Sequence, residues 1–250
     1  MKVSIIVPAH NEEKRIERTL KTYITFFENV KKFKDLETRF IVVLNGCSDN
    51  TYEVVSKLQK QYNTIEILDK KKAGKGFAVI EGFKHALKEE NDLIGFVDAD
   101  MATLPKYFYD LILNINGADG IIASRYDKES KVTPQRPFIK SWGRKLIFNP
   151  LTRLMLGIRY TDFQCGAKLF KPRVLKKIVP HAQLTQWAFD IELLYLCKKY
   201  HFSVKEIPTT WHDQDDSKLR LFNSGIKMLG SIIKLRIRHS QTEKKLRKNK

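Results

Sequence analysis

The sequence predicts an α/β fold: a mostly parallel sheet flanked by helices, followed by a C-terminal basic amphipathic helix. Three observations carry this. Short apolar runs alternate with segments whose apolar residues recur at helical spacing. Two of the runs stop at Pro8 and at Asn45-Gly46, residues that end strands in turns. The chain has 250 residues, 42% of them hydrophobic, which suffices for one large α/β domain.

In chain order, Val3 to Val7 reads as a buried strand ended by Pro8. Asn11 is placed to cap the next helix, where Ile16, Leu20, Ile24 and Phe27 share one face. Phe40 to Leu44 is a second strand, Thr51 to Tyr62 a helix, and Thr64 to Leu68 a third strand. Gly76 to Leu87 is a helix and Leu93 to Val97 a strand. Pro105 opens a helix, with Tyr109, Ile112 and Leu113 on its apolar side, and Gly120 to Ala123 is a further strand. Such alternation gives a parallel sheet with helices on both faces. Ligands then bind beyond the carboxyl ends of the strands. The turns to inspect are Pro8–Glu13, Asn45–Thr51, Asp69–Gly76 and Asp98–Thr103.

The second half is less regular. Residues 126–145 are polar and basic and read as a loop. Lys145 to Gly157 and Ala188 to Lys199 read as helices, and Phe202 to Ile207 as a strand ended by Pro208. From Phe222 the apolar residues Phe222, Ile226, Leu229, Ile233 and Ile237 form one stripe, with Lys227, Lys234 and Arg238 off it. Two readings stand side by side: a helix lying on an anionic membrane surface, or a helix packed on the main domain with solvated lysines. The expected division is a catalytic domain over 1–215, an amphipathic helix over 216–240 and a basic disordered tail over 241–250.

Lys and Arg number 46 against 28 Asp and Glu, a net charge of +18, so a polyanionic partner is expected. The basic residues are spread along the chain, and no helix-turn-helix or single-strand platform is visible, which argues against nucleic acid. The first apolar run is too short for a secretory signal, and no stretch is long enough to span a bilayer. Three scattered cysteines point to a reducing compartment without disulfides. The expectation is a cytoplasmic protein, peripheral on the cytoplasmic face of the membrane.

Asp98-Ala99-Asp100 follows the strand Leu93–Val97. Two carboxylates flanking one residue can share a hard divalent ion, which often keeps phosphate oxygens in its shell. Ala73-Gly74-Lys75-Gly76 precedes a helix, where glycines let the backbone approach a phosphate. It lacks the spacing of a Walker loop. Arg125 ends another strand, and with Arg136 and Arg144 it offers a basic pocket for a phosphate. Each signal alone has a bland reading as a turn, a solvated loop or a surface arginine.

Together these residues resemble family 2 glycosyltransferases. Pro8-Ala9-His10-Asn11-Glu12-Glu13 is similar to that family's nucleotide-sugar entry motif. Gly74-Lys75-Gly76, Asp98-Ala99-Asp100-Met101-Ala102-Thr103 and Ser124-Arg125-Tyr126 follow in the family's order. The segments Thr161 to Phe170 (TDFQCGAKLF) and Trp187 to Leu194 (WAFDIELL), then Trp211 and Ser217-Lys218-Leu219, resemble its dolichyl-phosphate β-glucosyltransferase branch. The mannosyl branch usually has Gln in place of Ala102. The resemblance covers roughly residues 1–238 and implies a GT-A (Rossmann-like) fold, a nucleotide-diphosphate sugar donor, Mg²⁺ or Mn²⁺, and a polyprenyl phosphate acceptor. It implies that Pro8, Ala9, Asn11 and Glu12 line the nucleoside and that Asp98 and Asp100 reach the diphosphate through the metal. Lys75 would join at the diphosphate. Arg125, Arg136, Arg144 and Gln164 would face the acceptor.

Two departures stand out. Where the family often has Asp-Asp-Gly-Ser, this chain has Leu44-Asn45-Gly46-Cys47 with Asp49 kept, so Asn45 and Asp49 are the expected base-side contacts, with uracil the first choice. Many relatives carry a membrane helix that is not evident here. Asp190 lies where relatives acting on hydroxyls place a base; here it orients an acceptor or caps a helix. Lys168 reads as a strand lysine facing solvent, and Trp187 and Trp211 as packing. The expected reaction is inverting transfer of glucose from UDP-glucose to a dolichyl-type phosphate. The alternatives are a saccharide or protein hydroxyl acceptor, or a relative that binds nucleotide sugar without turnover. The oligomeric state is not legible.

Overall fold

The computed structural model describes residues 1–134, 149–183, 186, 188–212, 230, 232–233 and 235–237. Its strands are β1 (Lys2–Ala9), β2 (Glu37–Asn45), β3 (Ile65–Lys70), β4 (Leu93–Val97), β5 (Gly120–Ser124), β6 (Lys131–Thr133), β7 (Ala167–Phe170), β8 (Val204–Pro208) and β9 (Thr210–His212). Its helices are α1 (Ile16–Lys31), α2 (Thr51–Gln61), α3 (Lys75–Ala86), α4 (Pro105–Asn114), α5 (Asn149–Leu156), α6 (Pro172–Ile178) and α7 (Phe189–Lys199).

Seven strands form one sheet in the order β3-β2-β1-β4-β7-β5-β8, and β6 pairs with β9 in a small second sheet. All neighbours in the large sheet are parallel except β7, which runs antiparallel to both β4 and β5. The parallel α/β expectation holds, and the order reverses between β1 and β4. β7 is the addition: it comes late in the chain yet slots into the sheet centre. Its four residues are too short a run to announce themselves as a strand in sequence, and the following helix α6 escapes notice for the same reason.

Strand periodicity sorts the side chains between two layers. Val3, Ile5 and Val7 of β1 and Phe40, Val42 and Leu44 of β2 face the layer built by α1, α2 and α4. Ile6, Ile41, Val43, Ile94 and Phe96 face the layer built by α3, α6 and α7. Phe96 stands near the centre of this second layer, in aromatic contact with Phe83 and Phe189. At Gly95 a Cβ would lie 2.5 Å from the Lys168 carbonyl and 2.8 Å from a Leu169 methyl, so only glycine admits β7 here. Pro105 and Pro172 open α4 and α6 at positions that need no intrahelical N–H.

Three local expectations are corrected. Asn11 does not cap α1, which starts at Ile16; Asn11 has φ 55°, and its Oδ1 accepts the Ser48 N–H at 2.8 Å. Lys168 does not face solvent: it is fully buried on the same face as Phe170. In the C-terminal segment Ile232 and Leu235 are buried against Ile122, Phe163, Ile191 and Leu194, whereas Ile233 and Ile237 are 43% and 51% exposed. The face that meets the domain is therefore not the stripe expected from sequence. Phe222, Ile226 and Leu229 lie outside the described residues. Among those described, no helix is long and apolar enough to cross a membrane.

Truncating Phe96 to alanine should lower unfolding stability by about 3–5 kcal/mol, because the ring fills the middle of one layer. Urea titration followed by circular dichroism checks this; a loss under about 1 kcal/mol would show that the layer repacks around the gap.

Candidate functional site

The carboxyl ends of β1, β2 and β4 meet beside the point where strand order reverses, where open α/β sheets bind ligands. The turns leaving β1 and β2 are laced together. The Glu12 N–H donates to Thr51 Oγ1 at 2.8 Å and the Glu13 N–H to Asp49 Oδ2 at 3.2 Å. Glu13 in turn accepts from the Asn50 N–H at 3.0 Å. Asp49 also accepts the Thr51 N–H at 3.0 Å where α2 begins, and these donors hold its carboxyl below the usual range despite burial.

Asn45 is only 2% exposed, and its side chain is engaged at both ends. Nδ2 donates to the Ala9 carbonyl at 2.7 Å, and Oδ1 accepts the Gly74 N–H at 3.0 Å. It thus ties β1 to the glycine loop before α3, while its own carbonyl accepts from His10 Nδ1 at 2.8 Å. That bond needs the folded turn and has no local signature in the sequence.

The acidic turn is held from below by α1. Thr19 Oγ1 donates to the Ala99 carbonyl and Tyr23 Oη to the Thr103 carbonyl, both at 2.7 Å. From the side, the His212 N–H donates to the Ala102 carbonyl at 2.9 Å. Asp98 leans onto the start of β7: a Cβ at Gly166 would overlap its carboxylate, 1.9 Å from Oδ2. Its Oδ1 meets Lys75 Nζ at 2.5 Å. Asp100 Oδ1 accepts the Ala102 N–H at 3.0 Å. Burial, then the Asp98 charge, pushes the Asp100 carboxyl up to about 6. Burial alone would lower the Lys75 ammonium, but Asp98, Asp190 and Asp100 together keep it above its ordinary range.

Beneath this lies a second pair. Lys168 Nζ donates to Asp190 Oδ1 at 2.7 Å and to the Cys165 carbonyl at 2.6 Å. Asp190 is 2% exposed, and burial raises its carboxyl even though Lys168 and Lys75 oppose this. The ammonium groups of Lys168 and Lys75 stand 5.4 and 5.7 Å from the same Phe96 ring. The β7 register opposite Phe96 turns Lys168 inward, which its sequence position does not reveal.

Arg125 has a partner within the chain. Nε and Nη2 form a fork on Asp162 at 2.6 and 2.8 Å, and the Arg125 N–H adds a bond at 3.0 Å. The guanidinium lies 4.8 Å from the Trp211 ring. Burial would raise Asp162, but the Arg125 charge and hydrogen bonds hold its carboxyl at about 2. Glu206 on β8 fastens the same loop, accepting the Asp162 N–H at 2.7 Å and the Thr161 hydroxyl at 2.6 Å. The Gln164 N–H donates to Asp162 Oδ1 at 3.1 Å, which sets Gln164 on the loop leading to Gly166. The Trp211 indole nitrogen and the Thr103 hydroxyl are buried without a hydrogen bond. Arg136, Arg144 and Trp187 lie outside the described residues.

The structure therefore gathers Pro8, Ala9, Asn11, Glu12, Asn45, Asp49, Lys75, Asp98 and Asp100 around the ends of β1, β2 and β4. Asp190 lies one layer below, and Arg125 and Gln164 lie toward β5 and β7. The Asp98/Asp100 pair fits a hard divalent cation: both donors are carboxylates, and the strain on Asp100 is what a divalent charge relieves. Among the described residues no cluster of three or more His, Cys, Asp or Glu side chains forms a metal site, so diphosphate or water oxygens would complete the shell.

This sheet, with an Asp-x-Asp turn at its switch point, has the GT-A type of glycosyltransferase fold. Glucosyl-3-phosphoglycerate synthase from Mycobacterium tuberculosis, crystallised with Mn²⁺, uridine diphosphate and phosphoglyceric acid, superposes with a TM-score of 0.65 at 14% identity, covering 94% of this chain and 78% of that one. The same enzyme has been crystallised with Mg²⁺ and uridine diphosphate, at a TM-score of 0.64 over 94% of this chain and 79% of that one. The model of the family "Glycosyl transferase family 2" matches residues 4–179. The dolichyl-phosphate beta-glucosyltransferase of Dictyostelium discoideum is 34% identical over 251 residues, 95% of this chain and 74% of the relative. That of Saccharomyces cerevisiae is 30% identical over 256 residues, 94% and 74%. The chain belongs to glycosyl transferase family 2.

Two predictions follow from the charges. Because the folded Asp100 carboxyl sits above its unfolded value, the protonated form stabilises the fold; that contribution is complete below about pH 4 and is lost as pH rises through about 6. Asp100→Asn should therefore melt higher than the parent above pH 6 and match it near pH 4; equal melting at both would contradict the strain. Lys168→Met and Asp190→Leu should each destabilise by about 3–5 kcal/mol, since each leaves a buried charge without its partner. The double variant Lys168→Met/Asp190→Leu should recover much of that loss in a urea double-mutant cycle; simple additivity would argue against a coupled pair.

Proposed function

We propose that the chain is an inverting, metal-dependent glycosyltransferase that moves glucose from UDP-glucose to a polyprenyl phosphate of dolichyl type at the cytoplasmic face of a membrane. The observation that carries the reading is the split between two acidic sites. Asp98 and Asp100 border the switch-point crevice, whereas Asp190 is buried against Lys168. A hydroxyl acceptor needs a free base, and Asp190 is committed elsewhere. A phosphate acceptor needs none, because its second pKa of about 6 leaves it largely ionised at neutral pH. The relatives named as dolichyl-phosphate beta-glucosyltransferases support the same acceptor and sugar.

On this reading Pro8, Ala9, Asn11, Glu12 and Asp49 border the nucleoside, and Asn45 holds the base side and the glycine loop in register. Lys75 approaches the diphosphate as α3 begins. Asp98 and Asp100 would hold Mg²⁺ or Mn²⁺, which would supply charge neutralisation to the leaving diphosphate. Arg136 and Arg144 with Gln164 take the acceptor phosphate. Arg125 contributes through the Asp162 loop that it anchors. The main tasks are then to position two anions and neutralise the departing charge. Attack on the face opposite the leaving group gives a β-linked product from an α-linked donor. The basic C-terminal segment is the proposed attachment to an anionic membrane surface.

The test incubates the protein with labelled UDP-glucose, Mg²⁺ or Mn²⁺ and a short polyprenyl phosphate, and reads label in the organic phase. The expected result is lipid-phase label that disappears with chelator and falls by at least about a hundredfold in Asp100→Ala. Label on a saccharide or peptide hydroxyl in the absence of lipid would favour the alternative acceptor.

A further inference from the structure

Glu12 is held by its backbone and by its side chain, and the second hold comes from Arg15, which lies beyond the Pro8–Glu13 motif. The Glu12 N–H donates to Thr51 Oγ1 at 2.8 Å, and its carbonyl accepts the N–H groups of Arg15 and Ile16, both at 2.9 Å. Those bonds fix the backbone. The carboxylate is fixed by a fork: Arg15 Nε donates to Oε2 at 2.7 Å and Nη2 to Oε1 at 2.9 Å. The Arg15 and Glu12 side chains are only 25% and 15% exposed, unlike the solvated pairs that contribute little on helix surfaces. Arg15 is itself anchored. Its carbonyl accepts the Thr19 N–H at 3.1 Å, and the Thr19 hydroxyl donates to the Ala99 carbonyl at 2.7 Å. One turn of α1 thus supports both the fork and the turn that carries Asp98 and Asp100.

Arginine and glutamate lose much rotamer freedom when both are fixed, so the arrangement makes sense where the carboxylate must meet a ligand in one orientation. An ionised carboxylate only accepts hydrogen bonds, and each oxygen has capacity beyond the bond to Arg15. Within a nucleoside diphosphate the phosphates are acceptors and anions, which a carboxylate repels. The ribose offers adjacent hydroxyl donors that suit the paired oxygens of a carboxylate. We propose that Arg15 is a positioning residue for the donor: it presents the Glu12 carboxylate to the ribose hydroxyls without touching the nucleotide itself. The inference rests on the nucleotide-sugar reading of this site. Arg15 also offsets the Glu12 charge, which would otherwise repel the incoming diphosphate. Lysine could supply that charge but not the planar fork that sets the carboxylate's orientation.

The experiment is calorimetric titration of the full chain with UDP and with 2′,3′-dideoxy-UDP, in the presence of Mn²⁺, beside a melting curve for each variant. The wild type should bind UDP about tenfold more tightly than the dideoxy nucleotide. Arg15→Met and Glu12→Ala should each lose most of that preference. The double variant should lose no more of it than either single variant, because the two residues act as one unit. Arg15→Lys should fail to restore it. Arg15→Gln replaces Arg15→Met if the latter lacks a cooperative melt. A folded Arg15→Met or Arg15→Gln protein that keeps the full preference overturns the inference and leaves the site reading intact. Full restoration by Arg15→Lys does the same, since charge alone would then suffice. So does a wild type that binds UDP and the dideoxy nucleotide equally. A wild type that binds neither nucleotide overturns the site reading and the inference with it.

Discussion

Five charged side chains converge around the end of β4, and four of them are matched in two ion pairs. Lys75, Asp98, Asp100, Lys168 and Asp190 surround a turn that follows a fully buried strand. An isolated charge in such a place would cost several kcal/mol, so the groups are tolerable only as a matched set. The match is nearly complete: Lys168 answers Asp190, and Lys75 answers Asp98. Asp100 is the acid left over: burial first, and then the Asp98 charge, drive its carboxyl up to about 6.

This constraint explains an otherwise odd strand. β7 runs against its neighbours and inserts between β4 and β5, and by doing so it delivers Lys168 beneath the acidic turn and Gly166 beside Asp98. Gly95 and Gly166 have no side chains because the two backbones and the Asp98 carboxylate occupy that space. The loop leading into β7 is fixed by the Arg125–Asp162 fork and by Glu206, so the position of Gly166 is set by one ion pair just past β5 and by hydrogen bonds to β8. A buried ionic frame is weak evidence for stability, but it suits a site that must hold several charges in register.

The side of the crevice at the ends of β1 and β2 is built differently, from hydrogen bonds between turns. Asn45 joins the Ala9 carbonyl to the Gly74 N–H, Asp49 accepts the Glu13 N–H and Thr51 accepts the Glu12 N–H, which keeps the ends of β1 and β2 together. Fold alone does not define chemistry. A superposition at 14% identity establishes the architecture, and the family model with relatives near 30% identity establishes the membership.

The sequence by itself determined the parallel α/β class, the order of the first five strands and the four turns at their carboxyl ends. Apolar periodicity and turn residues are local signals, so they are readable without the fold. It also placed Asp98, Asp100 and Lys75 on two of those turns, because chain order puts the turns on one edge of the sheet. The tertiary structure decided the rest. Lys168 reads as a solvent-facing lysine until β7 pairs with β4, and Asn45 reads as a base contact until Gly74 and Ala9 are seen at its two ends. Ile232 and Leu235, not the stripe through Ile233 and Ile237, meet the domain. In each case the deciding partner lies tens of residues away, and pairing across that separation is a property of sheet register and packing, not of any sequence window.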